Sequence, residues 1–96
     1  MSTPASEPSL PPAAENAVRA HAHQLRAIAA EHGISELRFA SLGRLVGHVA
    51  EDKDALDVAD FELAVIQLLG ADVRLYSDRV LRKPHVSPDL VTAQPV

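Results

Sequence analysis

The chain has 96 residues, 47% of them hydrophobic, with no cysteine, no tryptophan and a formal net charge of −4. That size allows one domain, the lack of cysteine excludes disulfides and disfavours a zinc site, and the acidic balance gives no electrostatic reason to expect nucleic acid as the main partner. No apolar stretch approaches the ~20 residues that cross a bilayer, so no membrane role is expected and a cytoplasmic protein is the simplest expectation.

Residues 1–14 open a stretch rich in Pro, Ser and Ala, "MSTPASEPSLPPAAEN", with no apolar period. It reads as a disordered tail, because it buries too little to offset its ordering entropy. It also lacks the charged start and apolar run of a signal peptide. The domain proper is expected over residues 15–91, with 92–96 as a frayed C-terminus.

"ENAVRAHAHQLRAIAAEHG" reads as one helix. Val18, Ala22, Leu25, Ile28 and Ala29 fall on one face, and Gly33 stands where a left-handed residue would end it. In "SELRFASL", Leu37 and Phe39 alternate with Arg38 and Ala40, the signature of a half-buried strand. "RLVGHVA" is a second short strand interrupted by Gly47; a bulge there would exchange the faces of Val46 and His48. "EDKDALDVADFELAVIQLLG" is the strongest helix, with Asp54 as N-cap, Asp57 three positions on and Gly70 at its end. It carries two apolar stripes: Leu56, Ala59, Leu63 and Ile66 on one, Val58, Phe61, Val65, Leu68 and Leu69 on the other, with Glu62 between them. "ADVRLYS" gives a third strand, and "VSPDLVTAQPV" one turn of helix before it frays.

The expected fold is therefore α+β: a small mixed three-stranded sheet with two helices on one face, in the order helix, strand, strand, helix, strand. One stripe of the second helix packs on the sheet; the other meets the first helix or a second subunit. Val58, Glu62, Val65 and Leu69 are the candidate interface residues, and a homodimer is expected if that stripe is not consumed internally. Glu62, set in an apolar arc, needs either the edge of the packed region or a hydrogen-bonding partner.

Several stretches resemble the minimal nucleotidyltransferase family of the DNA polymerase beta superfamily. They are "EHGISELRFAS", "LDVADFELAVIQLLGADVRLYSDRVLR" and the following "KPHVSPDLV". The likeness covers roughly residues 17–91. It implies a nucleotidyltransferase-like fold and small bacterial relatives, often paired with a HEPN-type partner as antitoxin to toxin. The family's own motif is a Gly-Ser turn after the first strand, an Arg-Gly, and an Asp-x-Asp pair opening the second strand. Glycine lets backbone N–H groups approach phosphates, serine donates to them, and the paired carboxylates hold the Mg²⁺ that neutralises the transferring phosphoryl group.

Here Ala40 replaces the glycine, while Ser41 and Arg44 remain and Leu45 follows the arginine. The segment that should bear the two aspartates is missing, and "LVGHVA" begins at once. Ser41, Gly43 and Arg44 are kept as candidate phosphate-binding residues, although a tight turn between strands uses the same types. "DKD" at 52–54 imitates Asp-x-Asp. It follows the second strand, on the order of 15–20 Å from the Ser41 turn, and reads as helix capping. His21 and His23 point to opposite sides of a helix, and His21 and His32 lie too far apart to chelate together. His48 reads as a packing or edge residue with no nucleophile beside it. The basic "DRVLRKPH", at 78–85, reads as a solvated patch.

These readings imply no catalytic residue, no metal and no cofactor. They favour a catalytically degenerate nucleotidyltransferase-like domain that works as a protein-interaction module, with a HEPN-type or other protein, or a second copy, as partner. Two alternatives stay open. One is an active minimal nucleotidyltransferase moving a nucleotide from Mg-ATP to a protein; the other is an unrelated small homodimeric α+β domain.

Overall fold

The computed structural model describes residues 10–96. Its elements follow in the order α1 (Glu15–Ala20), α2 (Ala22–Glu31), β1 (Ile34–Ser41), β2 (Arg44–Val49), α3 (Ala55–Leu69), β3 (Arg74–Ser77), a 3-10 turn (Asp78–Arg82), α4 (Pro88–Val91) and β4 (Gln94–Pro95). The strands form one sheet in the order β3-β2-β1-β4. β1 is antiparallel to both β2 and β4, whereas β2 and β3 run parallel across the α3 crossover. The expected α+β class holds, with a fourth strand that its two residues made illegible.

The first helix divides at His21, whose backbone (φ −112°, ψ 20°) leaves the helical region. Its ring Nδ1 lies 3.0 Å from the Ala17 carbonyl, and its own N–H shares that carbonyl at 3.3 Å. His32 ends α2 in the same way, with Nδ1 2.8 Å from the Ile28 carbonyl. The His32 ring thus reaches a carbonyl at the helix end, where intrahelical donors run out, while the His21 ring adds to a carbonyl that its own N–H already reaches. Gly33 follows in the left-handed region (φ 71°), as its position after the helix requires.

Two faces of the sheet have different fates. Ile34, Leu37 and Phe39 of β1, Leu45 and Val49 of β2, and Val73 and Leu75 before and within β3 enter the main core. There they join Val18, Leu25 and Ala29 of the first two helices and Phe61 and Val65 of α3. Arg44, Val46 and His48 alternate to the opposite face, where Val46 and the α4 residue Leu90 are buried apart from the main cluster. The irregularity lies in β1 rather than β2: the register slips between Ser35 and Arg38, with Glu36 at φ 53°. Gly47 instead serves close packing, since a Cβ on it would meet Ile34 Cγ2 at 2.8 Å.

α3 begins with a complete capping box. Asp54 accepts from the N–H groups of Leu56 (3.0 Å) and Asp57 (3.2 Å), and Asp57 accepts from that of Asp54 (3.0 Å). Gly70 closes the helix at φ 64°, as expected. Phe61 and Val65 are buried, and Val58, Ile66, Leu68 and Leu69 pack against the core. Leu56 and Leu63 stay 74% and 54% exposed.

Both ends of the expected domain need correction. Residues 1–9 of the expected tail lie outside the described residues, but 11–13 are part of the fold. Asp72 donates to Pro11, Ala13 donates to Asp72, Gly43 donates to Ala13, and Ala13 is buried. At the other end, β4 replaces the expected fraying. Pro95 and Gln94 pair with Arg38 and Phe39, and the Val96 N–H reaches the Leu37 carbonyl at 2.9 Å. Arg19 and Arg26 each donate to a carbonyl there, Pro95 and Val96 respectively, both at 2.9 Å.

Candidate functional site

The β1–β2 hairpin turns through Leu42 and Gly43, and Gly43 takes φ 71°, a conformation other residues adopt only with strain. Ser41 and Arg44, register partners across this turn, stand at one corner of the sheet. Both converge on a single carboxylate. Ser41 Oγ donates to Asp89 Oδ2 at 2.6 Å, while Arg44 Nη1 donates to Oδ2 at 2.9 Å and to Oδ1 at 3.2 Å. The Arg44 guanidinium also lies over the Tyr76 ring, 4.8 Å from its centroid, a favourable cation–π placement. Its Nε is buried and has no hydrogen-bond partner among the described residues.

Of the three candidate phosphate-binding residues, two are therefore brought together. Gly43 is not available in the same way, because its N–H is given to Ala13 and its carbonyl accepts from Arg74. Asp89 had no place in the sequence-based site.

Arg74 adds a second cation. It is the register partner of Arg44 on the neighbouring parallel strand, and it is exposed. Side-chain exposures of 32% for Arg44 and 23% for Asp89 leave this ion pair partly screened by water.

His48 lies further along the same face. Its Nδ1 is 3.0 Å from Asp78 Oδ2, and its register partner on β1 is Ser35. No hydrogen bond joins Ser35 to the ring among the described residues. β2 is an inner strand, but its pairing with β3 ends at Gly47, which leaves His48 exposed just past the end of that ladder. The acidic run "EDKDALDVAD" follows the other end of β2 from Ser41, where Asp54 and Asp57 serve the α3 cap. Backbone hydrogen bonding from Asp54, aided by the nearby Lys53 and His32 charges, holds the Asp57 carboxyl below its usual range. Among the described residues, no three His, Asp or Glu side chains gather as a metal-ligand set.

Glu62 finds its partner within the chain. Its Oε2 accepts from the Leu75 N–H at 2.7 Å, on the outer edge of β3. With Val65 buried and Val58 and Leu69 packed on the core, the four candidate interface residues turn inward. Val58, Glu62 and Leu69 remain partly exposed. A separate recess of about 350 Å³ lies between α2 and the start of β1, lined by Ala29, Ile34, Leu37, Val96, Arg26 and Glu36. It includes none of the residues of the Ser41 corner.

An antiparallel hairpin, a long crossover helix and a parallel third strand, with a serine and an arginine at the hairpin turn, define a nucleotidyltransferase-like α+β fold. In keeping with this, the chain is similar to a solved structure of a candidate minimal nucleotidyltransferase. The match has 26% sequence identity and a TM-score of 0.68, and covers 96% of this chain and 100% of the other. No family model matches the sequence, and neither does any curated relative. No helix among the described residues is long and apolar enough to cross a membrane.

Proposed function

We propose that this chain is a nucleotidyltransferase-like domain that no longer transfers nucleotides and acts by binding a protein. One observation carries the reading: β2 starts at Arg44 directly after the Leu42–Gly43 turn, and its six residues are Arg-Leu-Val-Gly-His-Val. Nucleotidyl transfer of this kind needs two carboxylates on the strand beside the phosphate-binding turn, to hold the metal that bridges the triphosphate. Neither face of β2 carries one. Asp89, the carboxylate that does reach the corner, comes from α4 and is bonded to a guanidinium. That donor set does not fit a magnesium ion, which favours several anionic or water oxygens and is repelled by Arg44.

The partner implied by the sequence resemblance is a HEPN-type protein, with the chain as its antitoxin. Incubation with Mg²⁺ and labelled ATP, with that partner present or absent, is expected to leave no label on either protein. Transfer abolished by Ser41→Ala would overturn the reading. Co-expression with a HEPN-type protein is expected to yield a complex that survives size-exclusion chromatography.

A further inference from the structure

We propose that the outward face of α3 is a docking surface for a basic amphipathic helix of a partner protein. This rests on the protein-binding role proposed above and deepens it, naming the face and the chemistry of what it takes.

Helical spacing builds the surface. Leu56, Ala59, Leu63 and Ile66 recur at intervals of three and four residues, as the a and d positions of a heptad seam do. Leu56, Ala59 and Leu63 are exposed and Ile66 is half-buried, while Phe61 and Val65 hold the opposite side of the helix in the core. Scattered apolar residues on a surface need no explanation, but a row along one helix is a contiguous patch. The small Ala59 between the two leucines leaves space for a facing side chain, as in knobs-into-holes packing.

Charge selects the occupant. From Asp54 to Val73 the chain carries Asp54, Asp57, Asp60, Glu62 and Asp72 and no lysine, arginine or histidine. Asp54 and Asp57 are committed to the helix cap, and Glu62 to the Leu75 N–H. Asp60 is exposed and makes no ion pair among the described residues. It lies four residues after Leu56 and three before Leu63, so it stands beside both on the helix surface. Lys53, just before the helix, has its stem packed against Gly33. An apolar row with an acidic flank is complemented by an apolar row flanked by Lys or Arg.

Other occupants fit less well. A two-fold contact sets one surface against itself, and two copies of α3 bring carboxylates from both sides and no cation from either. Residues 1–9, "MSTPASEPS", hold two prolines, a glutamate and no basic residue, so they supply neither the row nor the charge. An anionic lipid surface is repelled by the same carboxylates.

The test uses the full chain and a designed helical peptide of about three heptads, with leucine at a and d and lysine at e and g, where like charges keep the peptide from pairing with itself. By fluorescence anisotropy, Leu56→Ala combined with Leu63→Ala is expected to weaken binding of this probe at least roughly tenfold. Both leucines are exposed, so the variant keeps the fold and reads the contact. Asp60→Lys is expected to reverse the preference, weakening the lysine-flanked probe and strengthening a glutamate-flanked one. Absent binding, equal affinities in wild type and the alanine variant, or a wild type that takes both probes alike would each overturn the proposal. A dimer by sedimentation that the two alanines abolish would assign the face to a second copy and overturn it too. A HEPN-type complex that survives both alanines would overturn α3 as the docking face and leave the proposed function standing. ATP-dependent transfer would overturn the loss of catalysis and leave the probe titrations unchanged, so the two readings can fail separately.

Discussion

Single side chains decide how the exposed edges and ends of this small fold are closed. β3 is an outer strand of the sheet, and an unpaired N–H on such an edge invites pairing with another chain. Glu62 covers that of Leu75. Replacing it with alanine leaves a part-buried donor without an acceptor and is expected to cost about 1–3 kcal/mol in urea unfolding. Glu62→Gln keeps an acceptor and should cost less. Asp57 gives a second residue-scale expectation. Its carboxyl is held below the usual carboxylate range, chiefly by the Asp54 backbone N–H, so the unfolded chain takes up its proton at higher pH than the folded one. The stabilisation is therefore complete above the ordinary aspartate range, about pH 4, and fades as acid titrates the folded group. Asp57→Asn should flatten the fall of thermal stability below that pH and leave the neutral-pH slope unchanged.

At the scale of elements, α3 shows what a one-dimensional pattern can and cannot say. Its caps were legible because capping is local: Asp54, Asp57 and Gly70 act at the helix ends themselves. Its two stripes were both apolar, and choosing between them depends on the position of the sheet, which no local pattern contains. The structure buries the stripe containing Phe61 and Val65 and leaves Leu56 and Leu63 outside. Phe61→Ala is expected to destabilise the fold by about 3–5 kcal/mol, while Leu56→Ala should stay within about 0.5 kcal/mol of wild type. Denaturant midpoints distinguish the two outcomes directly. The hairpin makes the same point. Ser41 and Arg44 could be selected from sequence as a turn pair, but Asp89 lies 48 residues from Ser41 on a turn with no distinctive pattern. The break at His21 was equally hidden, since the apolar stripe runs through it without a change of period. Gly47, read as a weak point of its strand, proves to be where β2 lets Ile34 come close; Gly47→Ala should cost about 1–3 kcal/mol through overpacking.

For the whole molecule, the decisive contacts join segments far apart in sequence. "TAQPV" has neither the length nor the alternation of a strand, so its order comes from elsewhere in the chain. Arg19 and Arg26 reach the Pro95 and Val96 carbonyls across 76 and 70 residues. Val96 adds its N–H bond to Leu37 and its side chain to the core. β4 thus covers the side of β1 that β2 leaves open and ties the first two helices to the sheet. A chain ending at Ala93 would lose the pairing of β4 with Arg38 and Phe39, the Val96 N–H bond to Leu37, each backbone hydrogen bond being worth about 1 kcal/mol, and a partly buried valine side chain worth about 1 kcal/mol more. The arginine contacts are exposed and add little. A loss of at least about 2 kcal/mol in a domain this small corresponds to a fall of at least roughly 10 °C in melting temperature. The shortened chain should also exchange the amide hydrogens of α1 and α2 faster than wild type, because the link that fastens them to β1 is gone. Unchanged exchange in the two helices, together with an unchanged melting temperature, would mean that β4 merely rests on a sheet already complete without it.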